Sequence, residues 1–158
     1  MRHRGWGKPF VAAALIAGAL DIIYAIGFSY LRSGTPPARL LQSVASGALG
    51  RDAFTGGNTT AALGLGFHFL IAFIVTAIFF AAAARAPALT RRPLLAGALY
   101  GIAVYVVKNF VVIPLSRIGP RPLPATIVIV TGVLVHMFLV GAPIASGARR
   151  AFRTGYLR

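Results

Sequence analysis

Four long apolar runs constrain what this chain can fold into more than any other feature of its sequence. The runs cover about residues 9–31, 60–84, 93–115 and 125–146. Each exceeds the ~20 apolar residues that an α-helix needs to cross a hydrocarbon core of ~30 Å. They predict an all-α membrane protein, in which four transmembrane helices form a bundle and residues 1–158 make up a single integral membrane domain.

The composition supports this assignment. Charged residues make up only 11% of the chain, against about a quarter in an average soluble domain. The chain contains no cysteine, which excludes disulfides and thiol catalysis. The first run continues past Asp21 to Leu31 without a convincing small-x-small cleavage site. We therefore interpret it as a membrane span and not as a signal peptide.

The longest loop, between the first and second runs, contains an amphipathic segment. Helical spacing divides residues 38–49 into an apolar side and a polar side that includes Arg39 and Gln42. We predict a short interfacial helix here, in the first outer loop. It would lie at the membrane interface or pack over the mouth of the bundle, and the two positions are compatible. Arg39, Gln42 and Asn58 are the candidate binding residues of this loop.

Basic residues are distributed unevenly along the chain. Sixteen Lys and Arg residues stand against two acids, Asp21 and Asp52. Ten of the basic residues lie in the two tails and in the loop between the second and third runs, and five lie in the other two loops. The positive-inside rule therefore predicts that both termini lie in the cytoplasm. We expect the basic ends to contact anionic lipids of the bilayer, and we expect no nucleic acid partner.

Tyrosines aside, each apolar run contains one titratable side chain: Asp21, His68, Lys108 and His136 in chain order, with Asn109 next to Lys108. Counted at ~1.5 Å per residue, their depths fall within roughly 6 Å of one another, from the midplane to the outer half. Each shares a helical face with Gly or Ala, the residues at which membrane helices approach closely. We predict one intramembrane polar layer that faces the bundle interior, with Asp21 and Lys108 as its only possible ion pair.

The function of this layer is open to several interpretations. A charge at the bilayer centre costs roughly 2.5–3.5 kcal/mol, so such groups either satisfy one another as a structural lock or serve a functional site. We predict that the layer handles a proton or a small solute, because His and Asp titrate and a Lys–Asp pair can open. The alternative is a structural or accessory subunit of a larger membrane complex. A homo-oligomer is compatible with either.

The sequence lacks the common catalytic motifs, and its two acids exclude glycosidase-like and two-metal chemistry. We therefore predict that the protein is not an enzyme and that it holds no resident cofactor or metal. Two less favoured alternatives stay open. His68 and His136 could ligate haem b from two sides, and Asp21 with the same histidines could hold zinc.

The second half of the chain carries a set of motifs in a recognisable order. Residues 94–99 read LLAGAL, Pro114 and Leu115 end the third run, a proline-rich turn follows, and His136 lies in the last run. With His68 in the second run, this order distantly resembles the YagU-type bacterial inner-membrane proteins, over about half of the chain. The resemblance implies a small multi-pass protein of the bacterial inner membrane. It brings no catalytic residues to assign.

Overall fold

Four of the helices in this chain are long and apolar enough to cross a membrane. The computed structural model describes residues 6–153, and within them it contains helices and no strands. The α-helices in chain order are α1 (Gly7–Ser33), α2 (Pro37–Leu49), α3 (Gly57–Arg85), α4 (Ala88–Arg91), α5 (Pro93–Leu115) and α6 (Thr126–Phe152). Because α1, α3, α5 and α6 are the spanning helices, the predicted all-α, four-helix membrane fold is confirmed.

The last span differs most from its predicted bounds. The apolar run ends at Ser146, but α6 continues to Phe152. Gly147 and Ala148 are buried in this extension. A Cβ atom on Gly147 would lie 2.6 Å from the Ala13 Cβ, so α6 approaches α1 closely here. Contact with α1 therefore stabilises the helix beyond the point at which its hydropathy falls.

The two ends of the bundle carry different short elements. At the end called here the α2 end, Gly34 ends α1 in a left-handed conformation with φ 66°, and Pro37 begins α2 at a position where a missing N–H is tolerated. A 3₁₀ turn, Gly50–Phe54, then leads into α3. The opposite end, called the terminal end, carries the start of α1, the helix α4 and the end of α6.

Helix α2 packs over the mouth of the bundle, which is one of its two predicted positions. Gln42, on the predicted polar side, is buried and donates a hydrogen bond of 3.0 Å to the Gly57 carbonyl. The backbone of α2 also touches α3, because a Cβ atom on Gly64 would collide with the Leu41 carbonyl. The polar side of α2 therefore faces protein and not only water.

Glycines determine where the spanning helices meet. The backbones of α5 and α6 are in contact, with Gly97 against Gly141 and Gly101 against His136. Helix α1 packs against α3 and α6, whereas α3 and α5 do not pack along each other in the described part of the chain. Near the terminal end, Tyr100 of α5 bridges this gap by donating a hydrogen bond to the Val75 carbonyl of α3. Towards the α2 end the gap stays open.

The terminal half of the bundle has a closed apolar core. It is formed by α1, α3 and α6, and its buried residues are Ala13, Ala17, Phe79, Phe80, Ala83, Val140, Ile144, Ala145 and Ala148. Aromatic rings extend this core, since Phe10 packs edge-on against Phe80 at a centroid distance of 5.4 Å and Tyr100 against Phe79 at 4.9 Å. Small residues let the helices approach, and the phenyl rings fill the remaining space.

Two wide helical turns begin at the predicted layer. π-helical turns cover Lys108–Val112 in α5 and His136–Gly141 in α6. Each is followed two residues later by a proline, Pro114 or Pro143. A proline ring conflicts with the carbonyl four residues earlier, which here lies inside the wide turn. Because a π turn relieves such a conflict in a membrane helix, the prolines explain irregular backbone at Lys108 and His136.

Candidate functional site

The half of the bundle nearer α2 encloses a cavity of about 270 Å³. The four spanning helices form its walls. Helix α2 covers it together with the connector between α5 and α6, residues 116–125. Most of the lining is apolar. The polar lining residues are Asp21, Ser43, His68, Lys108, Ser116, Arg121 and His136. The four titratable residues found in the apolar runs, one from each spanning helix, thus line the same cavity.

Lys108 and His136 form the central polar contact of the cavity. The Lys108 Nζ atom lies 2.8 Å from His136 Nε2, and His136 Nδ1 lies 2.8 Å from the Gly132 carbonyl oxygen. Because a carbonyl only accepts, Nδ1 carries the hydrogen, and Nε2 of the neutral ring accepts from Lys108. The imidazole is buried and meets the Tyr105 ring edge-on at 5.3 Å. The hydrogen bond to Gly132, in the same helix, therefore fixes the tautomer of the His136 ring.

His68 joins two walls of the cavity. Its Nε2 atom lies 2.8 Å from the Gly18 carbonyl oxygen of α1, so Nε2–H donates. This contact requires close approach of α1 and α3, and a Cβ atom on Gly18 would lie 2.9 Å from the Phe69 ring. The small residue at position 18 is therefore what lets the histidine reach the opposing backbone.

Asp21 and Lys108, the only possible ion pair of the predicted layer, do not form a salt bridge. Lys108 is hydrogen-bonded to His136, and the Asp21 carboxylate does not come within the 4.0 Å that defines a salt bridge. Asp21 still acts electrostatically on both residues from the α1 wall. The physical reason is helix packing: α5 lies backbone to backbone on α6 at Gly101, which makes α6 and not α1 the nearest source of a partner.

The other predicted site residues lie outside the cavity. Asn109 turns back to its own helix, where its amide donates a 2.9 Å hydrogen bond to a backbone carbonyl. Arg39 is exposed, with its guanidinium carbon 4.2 Å from the centre of the Phe54 ring. Gln42 is bound to the α3 backbone, and Asn58 is exposed on the first turn of α3. None of these four lines the cavity.

The contacts of His136 do not favour the haem or zinc alternatives. Both of its ring nitrogens hold hydrogen bonds, one to Lys108 and one to the Gly132 carbonyl, so His136 is not free to ligate an iron from one side. Within residues 6–153, no group of three or more His, Cys, Asp or Glu side chains is placed to hold a metal ion. Asp21, His68 and His136 therefore share a cavity without converging on one point.

The polar residues at the mouth of the cavity were not identified from the sequence. Ser43 of α2, Ser116 and Arg121 contribute to the lining. The connector reaches α2 because the Arg117 N–H donates a 3.0 Å hydrogen bond to the Gly47 carbonyl. This contact joins segments far apart in the chain, so no local pattern predicts it. By contrast, Pro114 and Pro143 are a local sequence signal. Each follows a π turn, and these turns begin at Lys108 and His136.

Lining residues of the cavity are exposed at two places on the bundle. Ile71 of α3 and Val112 of α5 line it and are also 45% and 49% exposed, and these two helices do not pack along each other in the described residues. Arg121 is an exposed lining residue at the α2 end. In a membrane-spanning bundle, a gap edged by exposed apolar side chains opens towards hydrocarbon. The α2 end opens towards the interface.

Comparisons with known proteins leave this site to be interpreted from its geometry. No protein-family model, no curated protein and no solved structure matches the chain. The interpretation therefore depends on the cavity, on the titratable groups that line it and on its two openings.

Proposed function

We propose that this membrane protein binds a small solute in the cavity, at a site where Lys108 and His136 also hold a proton between them. The observation that carries the proposal is a cavity lined by a titratable group from every spanning helix. One hydrogen of the Lys108 ammonium group goes to His136, and two remain for another acceptor. Binding, without a chemical reaction, is what these groups support.

A structural lock is the competing interpretation, and the geometry of Asp21 argues against it. A lock removes charges from the hydrocarbon by bringing them into contact. The Asp21 carboxylate lines the cavity and has no hydrogen-bond partner among residues 6–153. The four polar groups of the layer therefore do not all satisfy one another by direct contact, as a lock requires. A solute with a polar group of its own supplies the missing partners.

We also propose that the protein resides in a bacterial inner membrane with both chain ends in the cytoplasm. The support is the distribution of Lys and Arg along the sequence, with ten in the two tails and in the loop between the second and third runs and five in the other two loops. In this orientation the cavity occupies the outer half of the bundle, α2 lies on the outer face, and the basic end contacts anionic lipids. The resemblance to YagU-type proteins is part of the same proposal.

A cavity-filling substitution tests whether anything binds. Val104 lines the cavity on α5, and Val106 lies two residues farther on and is 44% exposed. We expect Val104→Phe to remove the binding of small amphiphiles in lipid nanodiscs, and Val106→Phe to preserve it. Anionic, neutral and cationic compounds should each be measured by equilibrium dialysis, with protein-free nanodiscs subtracted. Circular dichroism melting then checks that both variants are folded.

The same experiment has an outcome that overturns the proposal. If no compound of any charge class binds in a way that Val104→Phe removes, the cavity is a packing defect and the structural lock is the better interpretation. If Val104→Phe is less folded than Val106→Phe, then Ala25→Phe, at a cavity position on α1, replaces it.

A role as an accessory subunit is the second candidate, and the exposure of α5 favours it. Only 11% of the apolar window of α5 is buried within the bundle, against 28% for each of the other three spans. A second protein could cover that face in place of lipid. Affinity purification in mild detergent should then recover a stoichiometric membrane partner, and substitution of exposed Leu99 by Trp should release it. Recovery of the protein alone would count against this role.

A further inference from the structure

The ionisable groups that line the cavity differ in how they are engaged. Lys108 donates to His136 Nε2, and His68 Nε2–H donates to the Gly18 carbonyl. Asp21 lines the α1 wall, and Arg121 is exposed at the α2 end. Lys108 is therefore the basic group placed inside the cavity, where a charge-assisted hydrogen bond favours an anionic partner.

The position of the cations agrees with an anion at the centre of the site. Lys108 has two ammonium hydrogens beyond the one directed at His136, and these match the acceptor oxygens of a carboxylate. A cationic solute would be repelled by Lys108 and Arg121, and among the charged lining residues only Asp21 would attract it.

The rest of the lining is apolar and leads into the gap between α3 and α5. Ile71 and Val112 stand at this gap, and Val75 lies deeper in the cavity. At about 270 Å³, the cavity is slightly smaller than the ~300 Å³ at the lower end of ordinary ligand pockets. It encloses a head group and a short apolar segment, while a longer chain extends through the gap into the bilayer.

We infer that the solute is a monocarboxylate amphiphile that reaches the cavity from the membrane between α3 and α5. Its carboxylate binds the Lys108 ammonium group, and its hydrocarbon chain lies against Val75, Ile71 and Val112. Arg121 at the α2 end raises the local concentration of anions near the mouth. This inference rests on the proposed function, because it names the class of solute that the cavity binds.

Competition between head groups tests the inference on the unaltered protein. Tritiated decanoate should bind saturably, one per protein, in nanodiscs of zwitterionic lipid, after subtraction of protein-free discs. Unlabelled decanoate should compete at least about tenfold more strongly than decanol or decylammonium, the difference that ~1.4 kcal/mol of head-group recognition gives. The three competitors share a chain length, and the partition of each is measured in protein-free discs so that competition is compared at equal concentration in the bilayer.

Substitutions then locate the head group. Lys108→Gln should weaken decanoate binding by at least about tenfold and change decanol binding by less than about twofold, because only the charged head group uses the ammonium. Val104→Phe should remove both ligands, and Val106→Phe should remove neither. A diazirine-bearing decanoate analogue should label peptides that contain Ile71 or Val112.

The outcomes separate this inference from the proposal beneath it. Stronger competition by decanol or decylammonium, with binding still removed by Val104→Phe, overturns the carboxylate class and leaves solute binding in place. The absence of any binding that Val104→Phe removes overturns both. Equal loss of decanoate and decanol in folded Lys108→Gln protein also overturns the inference, since the residue then acts by shaping the cavity and not by recognising charge.

Discussion

The two halves of this bundle use the same four spanning helices and differ in what lies between them. In the terminal half, Phe79, Phe80 and Ile144 are almost completely buried among alanines. In the half nearer α2, the same helices enclose a cavity of about 270 Å³ with charged groups on its walls. The difference arises between α3 and α5, which Tyr100 bridges in the first half and which stand apart in the second.

This comparison teaches how a chain of only 158 residues can hold costly groups in a membrane. Association of membrane helices depends on close packing, and the closed half has it. The two π turns begin in the open half, with Lys108 and His136 as the first residue of each. Irregular backbone is tolerated at membrane depth where it is buried in protein or lines a cavity, and both of these first residues line the cavity.

The seam between α5 and α6 joins the two halves, and its disruption should have the largest effect. A Cβ atom on Gly101 would collide with the His136 carbonyl, which cannot rotate away as a side chain can. We expect Gly101→Ala to destabilise the bundle by about 3 kcal/mol or more, at or above the upper end of ordinary overpacking. Unfolding by sodium dodecyl sulfate in mixed micelles, followed by circular dichroism, measures this change.

Gly66→Ala is the matched control, because a Cβ atom there meets nothing within 4 Å. Its stability should equal or slightly exceed that of the unaltered protein, since alanine is the better helix former by about 0.5–1 kcal/mol. Equal stability of the two variants would show that α5 and α6 are not in backbone contact.

Paired truncations compare the two halves directly. Ile144 is completely buried in the closed core, and Ile113 is partly buried at the cavity wall. We expect Ile144→Ala to cost about 2–5 kcal/mol in the free energy of unfolding, and Ile113→Ala to cost less than half as much as Ile144→Ala. Ile113 borders the cavity, so fewer neighbouring atoms pack against its side chain than against that of Ile144. Similar losses in mixed-micelle unfolding would mean that both halves are equally well packed.

A third substitution asks whether the polar groups of the open half stabilise the fold. Lys108→Met removes a hydrogen bond, which averages about 0.6 kcal/mol between membrane helices, and also removes a charge from the hydrocarbon. We expect the unfolding free energy to change by less than about 1 kcal/mol because the two effects oppose each other. Val107→Met, on an exposed position of the same helix, controls for the change in side chain. A loss as large as that of Ile144→Ala would identify the layer as a structural lock.

The spanning helices were predictable because the hydrocarbon core imposes a length and a composition on each of them. The end of α6 was not, because Gly147 and Ala148 are held by contact with α1 and not by hydropathy. The position of α2 over the mouth followed from its amphipathic pattern only as one of two compatible possibilities, and the burial of Gln42 supports it.

The candidate site was predictable in its members and not in its contacts. Helical register brings Asp21, His68, Lys108 and His136 to similar depths, which one sequence can show. It does not say which pairs of helices touch, and the pairing of α5 with α6 is why Lys108 contacts His136 and not Asp21. Arg121 enters the lining through a connector docked on α2, a long-range contact without a sequence signal.

The substitution that should perturb the fold least compares how readily a reagent reaches each half. It is possible because the chain contains no native cysteine. Ala25 lines the cavity, whereas Ala145 is completely buried in the closed core. Each is replaced by Cys, which adds a single sulfur atom, and the rate of modification by a small methanethiosulfonate reagent is measured in nanodiscs. We expect Ala25→Cys to react at least about tenfold faster, because the buried position reacts only when the core opens locally.

The rate at Ala25→Cys should also fall when decanoate is present, while the rate at Ala145→Cys should not change. Equal rates at the two positions would erase the distinction between an open and a closed half. If Ala25→Cys reacts faster than the control but decanoate does not slow it, the open half is supported and decanoate is not its occupant. Because the same reagent reports on both positions, differences in its partition into the bilayer cancel, and the comparison isolates what lies between the helices.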